Sequence, residues 1–192
     1  VVRHRAEGLL DAFIDTGKAL VADGADGLST TCGFLSLFQE ELARAVNVPV
    51  ASSSLMQVPL VQKLLPPDQQ VGVITISRES LTAEHLLAAG APQDTPMVGT
   101  ENGREFTRVI LEDEQEMDVD ACRQDLLDAG AELVREHPQV GAIVLECTNM
   151  GPHAADLRQQ LGLPIFSIIT FVSWFQSGLL PRRFSGITDD PR

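Results

Sequence analysis

Cys32 and Cys147 stand 115 residues apart, and sliding the chain along itself by that offset superposes more than two thiols. Leu42 falls on Leu157, Pro49 on Pro164 and Ser52 on Ser167. Val48 and Val50 fall on Leu163 and Ile165, and acidic Glu41 falls on Asp156. Upstream, an offset of 113 places Gly17, Leu20 and Val21 on Gly130, Leu133 and Val134, the difference being absorbed in the loops at 23–24 and 137–139. Each half then reads helix, strand, cysteine, helix, proline-containing strand. Several matches at one offset indicate two structurally similar halves.

The pattern along the chain sets the fold class. Apolar residues at helical spacing predict helices at 9–21, 37–46, 55–65, 81–89, 119–136 and 152–161. Short buried runs predict strands at 28–31, 48–51, 71–76, 96–100, 141–145 and 163–169. Strands alternating with helices predict an α/β fold with two pseudo-symmetric halves, each a mainly parallel sheet flanked by helices, and the active cleft between them. The expected halves are 1–65 and 71–162, with 163–184 packing back onto the first half and 185–192 as a polar tail. Strand 71–76 opens the second half, and the offset puts its counterpart about 40 residues upstream of Val1. A strand of the first half is therefore expected outside these residues.

Twenty-seven acidic residues against 14 basic ones give a net charge of −13. Such a surface repels phosphate backbones, so nucleic-acid and anionic-membrane partners are excluded as a class. A small carboxylate is not, because a local pocket of neutral donors suffices for it. No apolar run reaches the ~18 residues of a membrane span. Three scattered cysteines do not make a disulfide framework; they fit a reducing, cytoplasmic setting and leave thiols free for chemistry. None has zinc-ligand spacing, so no metal is expected.

Both repeat-matched cysteines sit where a strand runs into a helix, the edge at which open α/β sheets bind ligands. A helix N-terminus there predicts a lowered thiol pKa. Two thiols aimed at one cleft from opposite sides can take a proton from a carbon acid on one face and return one on the other. Helix N-termini also supply free N–H groups for an anion. Thr75 and the run 52–54 reach the same edge, and Arg78 is the only nearby cation.

The segments Thr30-Thr31-Cys32-Gly33-Phe34 and Leu145-Glu146-Cys147-Thr148-Asn149 resemble the paired cysteine motifs of the aspartate/glutamate racemase superfamily, which includes hydantoin racemases, maleate isomerases and arylmalonate decarboxylases. The resemblance runs from about residue 8 to residue 184. It implies Cys32 and Cys147 as the two acid/base residues. It further implies that Thr31, Gly33, Phe34, Thr148 and Asn149 bind a substrate carboxylate, with Ser52 and Thr75 beside them. Gly33 and Phe34 replace the Asn-Thr that follows the first cysteine in the amino-acid racemases. That exchange removes a side chain suited to fixing an α-ammonium group.

The reading is a cofactor-independent racemase or epimerase of a small carboxylate. Its alternatives are a cis–trans isomerase or decarboxylase of a dicarboxylate, and a non-catalytic carboxylate-binding protein. Cys122 lacks a repeat partner and reads as a packing residue. Glu146 falls opposite Thr31; it either tunes Cys147 or contacts substrate, or is a strand-end carboxylate paired with solvent or Arg. His85, His137 and His153 read as ordinary helix residues. Phe166, Phe171, Trp174 and Phe175 read as core, and are also compatible with a subunit interface in a homo-oligomer.

Overall fold

The runs Val-Gly-Val-Ile-Thr and Val-Gly-Ala-Ile-Val-Leu are buried almost without a break, as strands covered on both faces must be. In a computed structural model describing residues 1–2 and 6–183, they form the centre of a parallel sheet. The chain begins with α1 (Leu10–Ala22), β1 (Leu28–Ser29), a 3-10 turn at Gly33–Phe38, α2 (Gln39–Val46) and β2 (Val50–Ala51). A second 3-10 turn at Ser54–Met56 and α3 (Gln57–Leu64) lead to β3 (Gln70–Thr75), α4 (Ala83–Ala88) and β4 (Met97–Gly99). Then come α5 (Phe106–Glu112), α6 (Val119–Glu136) and β5 (Val140–Leu145). A third 3-10 turn at Thr148–His153, α7 (Ala154–Leu161), β6 (Ile165–Phe166) and α8 (Ile168–Leu179) complete it.

The strands form two parallel sheets, β1-β2 and β4-β3-β5-β6. The 115-residue repeat is visible in them residue for residue. Leu28 pairs Val50 and Ser29 pairs Ala51; their counterparts Ile143 and Val144 pair Ile165 and Phe166. The turn Gly33–Phe38 maps onto Thr148–His153, and α2 maps onto α7. Both helices end on a left-handed residue, Asn47 in one and Gly162 in the other. The matched glycines do matching work. A Cβ on Gly17 would stand 2.9 Å from Val46 of α2, and one on Gly130 would stand 2.8 and 2.9 Å from Leu157 and Leu161 of α7. Each glycine thus lets the helix before the cysteine strand lie close against the helix after it.

Two apolar cores follow. The larger surrounds β3 and β5 and takes in Phe34, Leu55, Val58 and Val61 from the first 65 residues. The smaller holds Leu42, Val46 and Val50, with Phe13, Ile14 and Leu28 against it. α3 therefore packs with the second half although its sequence lies in the first. α8 reaches back, setting Phe175 and Leu179 against Gly27.

Several local expectations are corrected. The strand expected over 163–169 covers only Ile165–Phe166. Ser167 ends it by capping α8: its Oγ accepts from Ile169 N–H at 3.2 Å, and its own N–H donates to Thr170 Oγ1 at 3.0 Å. This capping box overrides the β-branched run Ile168-Ile169-Thr170. Trp174 is 59% exposed rather than core, stacked on buried Phe171. His85 lies in a helix as expected, but it is fully buried and closes a capping box with Thr82 at the start of α4. The polar tail expected at 185–192 lies outside the described residues.

α5 carries no apolar-periodic signal long enough to read in the sequence, and a distant side chain holds its start. Buried Asp125 of α6 accepts the backbone N–H groups of Arg104 at 2.8 Å, Glu105 at 2.6 Å and Phe106 at 2.8 Å. Asp125→Ala would leave these donors unsatisfied and is expected to cost about 2–3 kcal/mol. Urea denaturation checks this as a lowered midpoint at constant slope. An unchanged midpoint would mean that the carboxylate is dispensable to α5.

Candidate active site

Each of the two repeat-matched cysteines is the residue just before a 3-10 turn. Cys32 precedes Gly33–Phe38 in extended backbone, and Cys147 precedes Thr148–His153 likewise. The turns are built alike: Leu35 N–H donates to Cys32 O, and Met150 N–H donates to Cys147 O, both at 3.1 Å. The same alignment supplies each thiol with a backbone N–H two residues on, from Phe34 for Cys32 and from Asn149 for Cys147. Both thiols line one open cleft of about 450 Å³.

Hydrogen bonds stitch the two cysteine arms together. Thr148 Oγ1 donates to Thr31 O at 2.8 Å. Ser54 Oγ contacts Leu145 O at 2.7 Å and Glu146 O at 3.0 Å. Thr30 Oγ1 donates to Ser52 O at 2.5 Å, tying the strand end before Cys32 to β2. Gly33 lies so close under Glu146 that an added Cβ would collide with its Oε1 and stand 2.6 Å from its backbone O. The glycine after the first cysteine is thus required by the carboxylate before the second.

Among the residues expected to bind substrate, Thr31, Phe34 and Asn149 line the cleft with the two cysteines. Gly33, Ser52, Thr75 and Thr148 are not part of that lining. Ser52 is fully buried, its N–H donating to Gln39 Oε1 at 3.1 Å, and Thr75 is fully buried with its hydroxyl on Glu146. Ile76, Ile110, Leu111 and Glu146 complete much of the wall. Ile110 and Leu111 carried no sequence signal, since they belong to the unforeseen α5. Arg78 is exposed, its backbone N–H held by Glu101. Cys122 is wholly buried on α6. Among the described residues no cluster of His, Cys, Asp and Glu has the makings of a metal site, and no helix is long and apolar enough to cross a membrane.

The electrostatics reverse one expectation. A thiol before a helix was expected to ionise easily. Burial, and then the nearby Glu146 carboxylate, instead push Cys32 up to about 11; the N–H groups of Phe34 and Leu35 pull the other way and lose. Cys147 is raised further, again by burial first and Glu146 second. The short 3-10 turns supply too little aligned dipole to offset this. Glu146 is itself raised to about 7 by burial, against the pull of Thr75, Ile76 and Gly33 as hydrogen-bond donors. Burial and the Glu146 carboxylate thus favour the protonated form of both thiols. Cys32 is the less buried and the more readily ionised of the pair.

No family model matches the chain. Its curated relatives include dimethylsulfoniopropionate lyase from Durusdinium sp. clade D, 26% identical over 86% of this chain and 56% of that protein. Dimethylsulfoniopropionate lyase 3 from Emiliania huxleyi (strain CCMP1516) is 31% identical over 92% of this chain and 48% of that protein. The chain thus spans about half the length of the curated relatives it matches. Allantoin racemase from Pseudomonas fluorescens superposes with a TM-score of 0.66 at 18% identity, over 94% of this chain and 73% of that one. A liganded variant of arylmalonate decarboxylase gives 0.61 at 17% identity, over 96% and 78%. Glutamate racemase from Francisella tularensis gives 0.52 at 17% identity, over 95% and 69%. The chain has the fold of the aspartate/glutamate racemase superfamily.

Proposed function

We propose that this cleft removes the proton α to a carboxylate and eliminates a β-sulfonium group, cleaving dimethylsulfoniopropionate to dimethyl sulfide and acrylate. The observation that carries the reading is the inequality of the two thiols on one cleft. A two-base racemase works in both directions and calls for two thiols of comparable standing. Here Cys32 is partly open and Cys147 is buried and held more firmly protonated. Such a pair suits a reaction that takes one proton and returns none to carbon. Likeness to lyases named for dimethylsulfoniopropionate supports this over the racemase expectation, and supplies a substrate with the leaving group that elimination needs.

In this mechanism the Cys32 thiolate takes the α-proton. The electron pair of that C–H bond forms the α,β double bond, and the β-carbon–sulfur bond breaks with its pair leaving on sulfur. Neutral dimethyl sulfide departs, acrylate remains, and Cys32 returns its proton to solvent. The N–H groups of the cysteine turns stabilise the thiolate, while Ile76, Phe34, Ile110 and Leu111 make the cleft partly apolar and favour a neutral leaving group. The test is to supply dimethylsulfoniopropionate to the purified protein, following dimethyl sulfide by gas chromatography and acrylate by proton NMR. Equimolar products are expected. Solvent-deuterium exchange at an α-carbon without elimination would favour a racemase instead. Neither exchange nor elimination with sulfonium compounds, amino acids, hydantoins and small dicarboxylates would leave the carboxylate-binding alternative.

A further inference from the structure

Glu146 is the most deeply buried acidic side chain among the described residues, 1% exposed, yet it borders the cleft and its charge acts on both thiols. Its Oε2 accepts Thr75 Oγ1–H at 2.9 Å and Ile76 N–H at 3.4 Å. These donors are neutral. Among the described residues no Lys or Arg forms an ion pair with it, although ion pairs abound on the surface. A buried carboxylate lacking a cationic partner is costly, and a ligand that brings the cation relieves that cost. A ligand bearing only a carboxylate would instead add a second negative charge beside it. The repeat underlines the point: the equivalent position in the first half is the neutral Thr31.

We propose that Glu146 is a specificity-determining residue, whose carboxylate selects substrates carrying a permanently cationic sulfur or nitrogen bonded to the carbon β to their own carboxylate over neutral compounds of the same shape. The inference rests on the sulfonium elimination proposed above and adds to it the residue that recognises the cationic end. It also links recognition to chemistry. Pairing the carboxylate with the substrate's cation removes one of the two causes that keep Cys32 protonated, so the base is freed when the correct substrate is seated. The titratable groups facing the carboxyl are Cys32 and Cys147. β3 presents only the Thr75 hydroxyl and Ile76 N–H, and α5 lines the cleft with Ile110 and Leu111.

The test compares 3-(trimethylammonio)propanoate with 4,4-dimethylpentanoate, which differ by a cationic nitrogen in place of a carbon and have no sulfonium to lose. Calorimetry at pH 8 is expected to show the wild-type protein preferring the cation by about tenfold or more, narrowing to about threefold or less in Glu146→Gln. Equal affinity in wild type, or an undiminished preference in the variant, would overturn the proposal. A second measurement needs no variant. Between pH 8 and pH 5.5 the carboxyl, held near 7, takes up its proton. Wild-type affinity for the cationic ligand should then fall by about tenfold relative to the neutral one; a constant ratio would contradict the assignment. Turnover of dimethylsulfoniopropionate without this preference would sink only the role of Glu146. The preference without turnover would sink only the elimination.

Discussion

Cys32→Ser is expected to lower kcat for dimethylsulfoniopropionate by about 10³-fold, while Cys147→Ser costs about 10-fold to 10²-fold. A serine hydroxyl fits where the thiol stood but ionises far too weakly to act as the base. Cys147 has no proton to deliver in an elimination, so its loss alters only the polarity and packing of the cleft wall. A racemase would lose racemisation almost equally with either replacement, so the ratio of the two effects separates the chemistries. The pH profile provides the control. Because Cys32 is raised to about 11, its thiolate fraction grows about tenfold per pH unit above neutrality. The value of kcat/KM reports the free protein, and should climb with that slope between pH 7.5 and 10. Cys147→Ser should keep the rising limb and Cys32→Ser should lose it. A flat wild-type profile over that range would count against a thiolate base.

Gly33→Ala is the smallest change expected to have a large structural effect. Its methyl group would collide with the Glu146 carboxyl oxygen and meet the Glu146 backbone carbonyl at 2.6 Å and Cγ at 2.8 Å. A flexible side-chain tip could swing aside, but the carbonyl belongs to the strand end that carries Cys147. The arms must separate or the backbone must shift, at a cost of about 3 kcal/mol. Thermal unfolding should show the loss as a lowered Tm. Activity should fall further than the unfolded fraction accounts for, because the displaced arms each carry a cysteine. A Gly33→Ala protein with wild-type Tm and kcat would show that the contact relaxes freely.

The repeat was legible because its register is written in residues that pack or cap: Gly17 with Gly130, Leu42 with Leu157, Ser52 with Ser167. The structure reproduces the same offset in strand pairing, in the cysteine turns and in the helices that follow. Helix 119–136 was readable to its ends because Asp118 caps it and its apolar period runs for five turns. α5 was not readable, since what starts it is Asp125, about twenty residues away. Nor did the sequence reveal the helix at 168–179, where two hydrogen bonds from Ser167 and Thr170 outweigh a β-branched run. At the site, both cysteines and three of their neighbours could be located from motif and repeat. The thiol ionisation could not, because burial and the Glu146 charge depend on how the arms fold together. Gly33 looked like a departure from a motif; in the structure it is half of a steric pair with Glu146.

Both thiols lean on one core. Cys147 follows a strand buried at all six positions at the heart of the larger core, and Cys32, although it comes after the two-residue β1, packs against that same core with its neighbour Phe34. Local opening is governed by such buried apolar contact rather than by position along the chain. Loosening of the smaller cluster of Leu42, Val46 and Val50 would therefore leave both thiols on their common support.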